Sequence, residues 1–460
     1  VSRPRFPGLD RGGVWRNWAA TAIARPAATA RPRSEDEIAS LLVAASAANS
    51  ALKVVGGGHS FTPIAATNGM LVNLDLYTGI IHVDPRSGRV RFRAGTRLRD
   101  VAGLLKPFGL ALANMGDIDH QSLAGAISTS THGTGLGFTG FSGSVTALRL
   151  LLPDGTAIDC SADSNPDLFQ ATRVGLGALG VLTEVTIQCV PRFKLRAREA
   201  PEPLAGMLES FVERCAVTDH LEFYWFPHTD LALAKTNTRI PDTEQAHPVP
   251  WRGRIIDDEL MGNAGFALMC RFAAKHPSAV PQLNRFAAKT LAVREYIDQS
   301  EKVFVTARRV RFREMEYAVP LDDLPSVFAE VRNVVEAYPQ KISFPLEVRA
   351  AAADDTWLGT AAGRPSAYIA VHRYAGEASG DFLGTVEKVF TGIAGRPHWG
   401  KLHTRDAAFF HSAYPRFADF LAQRDAMDPQ GIMLNAHLGH ILGRRAAPAF
   451  DAGAADSRHG

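Results

Sequence analysis

Three glycine-rich segments between Val54 and Val181 constrain this chain more than any other feature. The first is Val54-Val55-Gly56-Gly57-Gly58-His59-Ser60-Phe61. A short apolar strand runs into three glycines, which bare their backbone N–H groups and let the chain approach a ligand closely. Such a nest suits phosphate oxygens. The spacing is not G-x-G-x-x-G and no helix obviously follows, so a dinucleotide fold of the doubly wound kind is excluded. No Lys-Ser/Thr pair follows either, so it is not a Walker loop. The second segment runs from Leu123 to Gly135 (LAGAISTSTHGTG) and offers small side chains, hydroxyls and amides that can run alongside a long, flat, polar cofactor. The third, Gly175-Leu176-Gly177-Ala178-Leu179-Gly180-Val181, immediately precedes a strand. One such segment is readily a simple turn, but three are hard to explain that way.

The pattern around them is α+β. Ser34 is a predicted N-cap, with Glu37 placed as in a capping box before IASLLVAASAA. RLRDVAGLLKPFG predicts an amphipathic helix ending at Gly109, and SVTALRLLLPDGTAIDC a hairpin turning at Asp154-Gly155. ALANMGDIDHQSLAGAISTSTHGTG carries few helix signals. Hairpins imply mostly antiparallel pairing. Beyond about residue 191 come longer amphipathic helices such as LPSVFAEVRNVVEAY and alternating strands such as HLEFYWFPHT and YIAVHRY. These predict one antiparallel sheet backed by helices. The expected organisation is a first domain over 1–190, a second over 191–395, a segment 396–442 that returns to the first, and a loose tail over 443–460.

Charge excludes some functions. The formal net charge is +3 without long runs of one sign, which argues against a nucleic-acid partner. The most basic stretch, Arg308, Arg309, Arg311 and Arg313, alternates like a solvated strand face. Cys160, Cys189, Cys215 and Cys270 show neither C-x-x-C nor zinc spacing and read as reduced, mostly buried thiols, so no metal is expected and a cytoplasmic setting is. No apolar run reaches the ~20 residues of a membrane span, and the first residues carry no secretory h-region.

The order VVGGGHSF, NMGDIDHQSLAGAISTSTHGTG and GALGVLTEVT resembles the FAD-binding domain of the vanillyl-alcohol oxidase superfamily. The closest branch is the sugar-lactone oxidases and dehydrogenases acting on gulono-, galactono- or arabinono-lactones, with the alditol oxidases nearby. Asn17-Trp18-Ala19 and Pro397-His398-Trp399-Gly400-Lys401-Leu402-His403 fit that branch, and the resemblance covers residues 14–442 apart from a stretch near 235–265. It implies a two-domain fold of the vanillyl-alcohol oxidase type with an antiparallel-sheet substrate domain. It also implies FAD held by Val55, Gly56, Gly57, Gly58, His59, Ser60, Phe61, Gly116, Asp117, Ser122, Gly125, Thr129, Thr131, His132, Gly133, Val181 and His398. His59 stands where many members bond a histidine to the flavin's 8-methyl group. Gly116, in Asn114-Met115-Gly116-Asp117, falls where glycine leaves room for dioxygen to reach reduced flavin.

The resemblance further places Glu347, Arg349 and Lys401 as catalytic residues, and Asp117, Glu347, Arg349, His372 and Lys401 around the substrate. On a strand, Glu347 and Arg349 project to one face, and an exposed ion pair is the plain alternative. The implied reaction removes hydride from a hydroxyl carbon of a sugar-1,4-lactone, with reoxidation by dioxygen or a cytochrome- or quinone-like acceptor. A polyol oxidase producing hydrogen peroxide is the alternative. A flavin attached twice would need a cysteine between Met115 and Asp159, and there is none.

Overall fold

The computed structural model describes residues 9–11, 13–249, 265–306, 310–377 and 380–448. Near its start lies a four-stranded sheet ordered Leu9–Arg11, Ala28–Ala30, Met70–Asn73, Leu52–Val55. The last three strands pair in parallel, against the hairpin expectation. Parallel strands need a crossover, and helix Glu35–Ala47 supplies it. That helix begins as expected: the Ser34 side chain accepts from the Glu37 amide at 3.2 Å. The Glu37 carboxylate reaches one residue further back than in a standard capping box and accepts from the Arg33 amide at 2.7 Å.

A second sheet is wholly antiparallel, ordered Ala157–Ser161, Val145–Leu151, Val181–Gln188, Arg89–Arg93, Ile80–Asp84. Its first hairpin turns where Gly155 adopts φ +85°, a conformation that side chains oppose. Helix Leu98–Leu105 runs on through a 3-10 turn and stops at Gly109. The serine-rich segment holds a short helix that its composition hid, Leu123–Ser128, started by the Ser122 side chain accepting from the Gly125 amide at 3.2 Å. Val90, Phe92, Val101, Leu123, Ile127 and Val185 of these elements bury one apolar core.

The eight-stranded antiparallel sheet runs Arg294–Gln299, Phe193–Pro203, Leu231–Pro241, His220–Trp225, Leu346–Ala351, Ser366–Tyr374, Phe312–Pro320, Arg396–Pro397. Helices Leu204–Val217, Leu324–Ala337 and Phe382–Thr391 cover one face, packing Phe211, Phe328, Val331, Phe382 and Phe390 on Leu221, Phe223, Val348 and Ile369. The other face meets the first unit, where Thr134 donates to the Leu221 carbonyl at 2.5 Å and Gly135 bridges to Ala351.

After Arg396–Pro397 the chain returns. Phe410, Tyr414, Phe417, Leu438 and Ile441 join the first unit's core, and the Asn435 amide donates to the carbonyls of Pro63, Ile64 and Ala66. A loose tail is not found from 443 to 448, and the rest of that expectation, 449–460, lies outside the described residues. The Ala447 amide donates to the Gly431 carbonyl at 3.0 Å, and Ala51 donates to that of Pro448, so residues 443–448 are docked by backbone bonds their small side chains do not announce. Arg308 and Arg309 lie outside the described residues; Arg311 is exposed and the strand starts at Phe312. All four cysteines are buried and free. Among the described residues no helix is long and apolar enough to cross a membrane.

Candidate active site

Two cavities meet between the glycine segments and the large sheet, and His59, Ser60, Gln121 and Thr129 line both. The smaller is a channel of about 120 Å³. Val55, Gly56, Gly57, Gly58, Ser122, Gly125 and Val181 line it, with Lys53, Gly177 and Met433. The larger, of about 520 Å³, takes Phe61, Gly116, Asp117, Thr131, His132, Glu347, Arg349, His398 and Lys401 into its wall. Gly133 and His372 line neither cavity. A Cβ on Gly133 would come 2.3 Å from the Met115 carbonyl, so this glycine lets two loops touch and does not border the cofactor path.

The channel fits FAD. Among the described residues, the consecutive amides of Gly57, Gly58, His59 and Ser60 donate to no protein acceptor, which leaves a row of N–H groups for phosphate oxygens. Gly58 turns the chain there with φ +64°. A Cβ on Gly57 would lie 2.5 Å from the His120 carbonyl, so glycine is required for the two loops to close on one another. At the junction, buried Gln121 Oε1 has no hydrogen-bond partner. An unpartnered buried acceptor calls for a donor that the protein itself does not provide.

His59 sits at the same junction. Its ring stacks between Trp18, at 5.8 Å, and His120, at 5.3 Å. Burial lowers its pKa to about 4, so the imidazole is neutral and keeps a lone pair.

The large sheet builds the opposite wall. Glu347 and Arg349 project together from Leu346–Ala351, and both are buried. Arg349 is no exposed ion pair: its Nη2 meets both Asp117 and Glu347, and its Nε donates to Glu222 at 3.0 Å. Burial opposes the guanidinium charge, but Asp117, Glu347 and Glu222 outweigh it and hold the pKa well above the usual arginine value. The three carboxylates are close enough together to hold an ion, and Arg349 fills that role. Tyr224 donates to Glu347 at 2.7 Å, and Lys235 Nζ lies 3.2 Å from Glu222.

A second cluster forms around Lys401, which pairs with Glu314. His372 stands behind Glu314, its Nε2 3.5 Å from that carboxylate and its Nδ1 bonded to the Pro345 carbonyl at 2.9 Å. The sequence expectation placed His372 against substrate; the strand pairing seats it beside Glu314 on the same sheet face, and it does not line the cavity. Burial opposes ionisation of Glu314, yet Lys401 and His372 pull its pKa well below the usual carboxylate range. Beside it, Glu316 lies 3.4 Å from His132. Burial lowers the pKa of His398 to about 3, and its Nδ1 accepts from the Gly400 amide at 3.0 Å.

The sequence reading missed Glu222, Lys235, Glu314, Glu316 and Gln121. A signal existed for the glutamates. In HLEFYW and FREMEYAVP, polar residues two apart interrupt otherwise apolar strands: Glu222 with Tyr224, and Glu314 with Glu316. That is the same spacing as Glu347 and Arg349.

A family model for an FAD binding domain matches residues 26–161, and the D-arabinono-1,4-lactone oxidase family model matches residues 185–441, more than half of the chain. The chain belongs to the sugar-lactone oxidase family of FAD-dependent oxidoreductases. This member is 39% identical to an L-gulono-1,4-lactone dehydrogenase of Mycobacterium tuberculosis, over 94% of this chain and 99% of the relative. It is 32% identical to the L-gulonolactone oxidase of Bos taurus over the same shares. A solved cholesterol oxidase from Brevibacterium sterolicum, a His-to-Ala mutant, superposes with a TM-score of 0.80 at 17% identity. The match covers 96% of this chain and 99% of that one and shows a shared fold. Neither relative supports the polyol alternative.

Proposed function

We propose that this family member oxidises the hydroxyl carbon beside the carbonyl of a sugar-1,4-lactone of the gulono-, galactono- or arabinono- type. The observation that carries the reading is the cavity wall itself, where Arg349 and Lys401 present two cations and Glu347 a carboxylate. FAD, when bound, supplies the hydride acceptor. Arg349 and Lys401 stabilise the negative charge that grows on the substrate oxygen, in a partly desolvated site where such charges count for more than in water. Glu347 takes the hydroxyl proton. Asp117 steadies Arg349 from the loop side and faces the substrate. Val55, Gly56, Gly57, Gly58, Ser60, Ser122, Gly125 and Val181 hold the diphosphate and adenine end. Phe61, Thr129, Thr131, His132 and His398 border the ring.

We place a covalent bond to the flavin at His59, whose neutral ring has the free lone pair such a bond needs. The reoxidant is dioxygen or a cytochrome- or quinone-like acceptor, and bare Gly116 leaves the wall open to the first.

Anaerobic mixing tests the substrate. Gulono-, galactono- or arabinono-lactone should bleach the flavin, and xylitol and sorbitol should not; bleaching by the polyols alone would overturn the reading. Acid precipitation tests the bond, since a yellow pellet is expected and a colourless one removes it. Oxygen uptake measured against dye reduction identifies the acceptor.

A further inference from the structure

We propose that Glu222 is the positioning residue that fixes Arg349 in the cavity wall and so leaves Glu347 to take the substrate proton. The inference rests on the reading of the cavity given under Proposed function. It divides two jobs that a Glu-x-Arg pair leaves merged.

Glu222 is buried and does not itself line the cavity. It sits on His220–Trp225, whose Phe223 pairs with Val348, which brings Glu222 beside Arg349. On its other side Glu222 pairs with Lys235 of Leu231–Pro241. Arg349, Glu222 and Lys235 thus form a row across three strands, on the sheet face turned to the first unit.

The two ends of the guanidinium are held differently. Its Nε edge, the rigid base of the fork, is bonded to Glu222 at 3.0 Å. Its Nη2 tip meets Asp117 and Glu347 at the cavity. A planar group is oriented by a bond at its base, and the tip is where charge is delivered. The second oxygen of Glu222 is held by Lys235 at 3.2 Å, so both oxygens of this carboxylate are taken up within the sheet, away from the cavity. Glu347 differs, because its carboxylate borders the cavity and takes a hydrogen bond from Tyr224 at 2.7 Å.

The row also couples electrostatically to Glu347. Arg349 faces Glu347 from its own strand, and Glu222 and Tyr224 from the next strand. Lys235 lies one strand further, and Asp117 projects from the loop. On the other flank Glu347 pairs with Ala370, two residues before His372, and Glu314, Glu316 and Lys401 share the cavity. Glu222→Gln removes an anion near Glu347 and favours its ionised form. Lys235→Met removes a cation and disfavours it. A base must be ionised to act, so kcat/KM rises with pH along a limb set by Glu347. That limb should move to lower pH in Glu222→Gln and to higher pH in Lys235→Met. These opposed shifts report the charges of the row acting on Glu347; the positioning role is read from the reduction rate, in a loss at little-changed KM that Glu222→Asp partly restores.

The test is stopped-flow reduction of the flavin in the full-length holoenzyme by a lactone that it oxidises. Glu222→Gln is expected to lower the reduction rate on the order of 10²-fold with KM within a few-fold, as loss of alignment does. Glu222→Asp should recover part of the rate, and the two limbs should shift in opposite directions. Wild-type rate and limb in Glu222→Gln, or shifts of the same sign in both variants, overturn the proposal. If Glu222→Gln fails to fold, Glu222→Asp decides: a reduction rate below wild type with KM within a few-fold supports the proposal, and a wild-type rate sinks it. Glu347→Gln separates this from the underlying reading, because wild-type reduction there would discard the proposed cavity chemistry itself.

Discussion

Each cavity buries a cation, and the two are held in opposite ways. In the channel, fully buried Lys53 donates to two carbonyls, those of Gly177 and Met433, both at 2.8 Å. Burial lowers its pKa to about 7, and Asp428 only partly offsets this. In the larger cavity, Arg349 is surrounded by three carboxylates that hold its charge against burial. Carbonyl dipoles can orient an ammonium without securing its charge, whereas carboxylates make the charge permanent. The channel offers backbone groups without protein partners, which suits the binding proposed for it. The sheet face carries fixed charge, which suits the chemistry proposed for it.

The largest effect expected from this contrast is on Arg349. Arg349→Met removes permanent charge where negative charge develops, and flavin reduction should slow roughly 10²- to 10³-fold. FAD should stay bound, because the channel is untouched. Absorbance of the purified variant and its reduction kinetics check both halves. A variant that loses its colour would show that the two regions are not separable.

The converse variant strikes the channel. In Gly57→Ala the new Cβ meets the His120 carbonyl at 2.5 Å, a backbone atom that can yield only if the loop moves. Such overpacking costs about 1–3 kcal/mol. In a His59→Ala background, which removes the proposed bond, FAD affinity should fall on the order of tenfold or more. Titration of the apoprotein with FAD measures it. Unchanged affinity would show that the loop is softer than its contacts suggest.

The same contrast explains what could be read from sequence. The channel residues are consecutive, so VVGGGHSF and GLGALGV reveal a nest before any fold is known. The α+β class was equally legible, because each helix and hairpin carries its own local signals, such as Ser34 and Asp154-Gly155. The sheet face is different. Alternation says that Glu222 and Tyr224 share a face, as do Glu314 and Glu316, but not which strands flank them. Only register brings Glu222 to Lys235 and Glu314 to His372. The parallel pairing near the start is also a matter of register, and the helix Leu123–Ser128 is hidden because it is only six residues long and runs straight into Thr129-Ser130-Thr131-His132-Gly133, which reads as loop.

The smallest effect concerns Lys53 and the dependence of stability on pH. Unfolded, a lysine has its ordinary pKa of 10.5; in the folded FAD-free protein the value is about 7. Between those values the unfolded chain binds more protons than the folded one, so stability rises with pH across that window. Below about pH 7 both states are protonated and the burial penalty stands in full. Above 10.5 both are neutral and it is gone. Lys53→Met has no proton to lose, so its stability should be flatter between pH 7 and 10.5. The slope for one group is at most about 1.4 kcal/mol per pH unit. Melting curves of FAD-free wild type and Lys53→Met at pH 7, 8 and 9 should therefore converge or cross by a few degrees, with wild type gaining at high pH. Parallel curves would mean that the ammonium keeps its charge in the channel, and the difference between the two buried cations would then be one of partners alone.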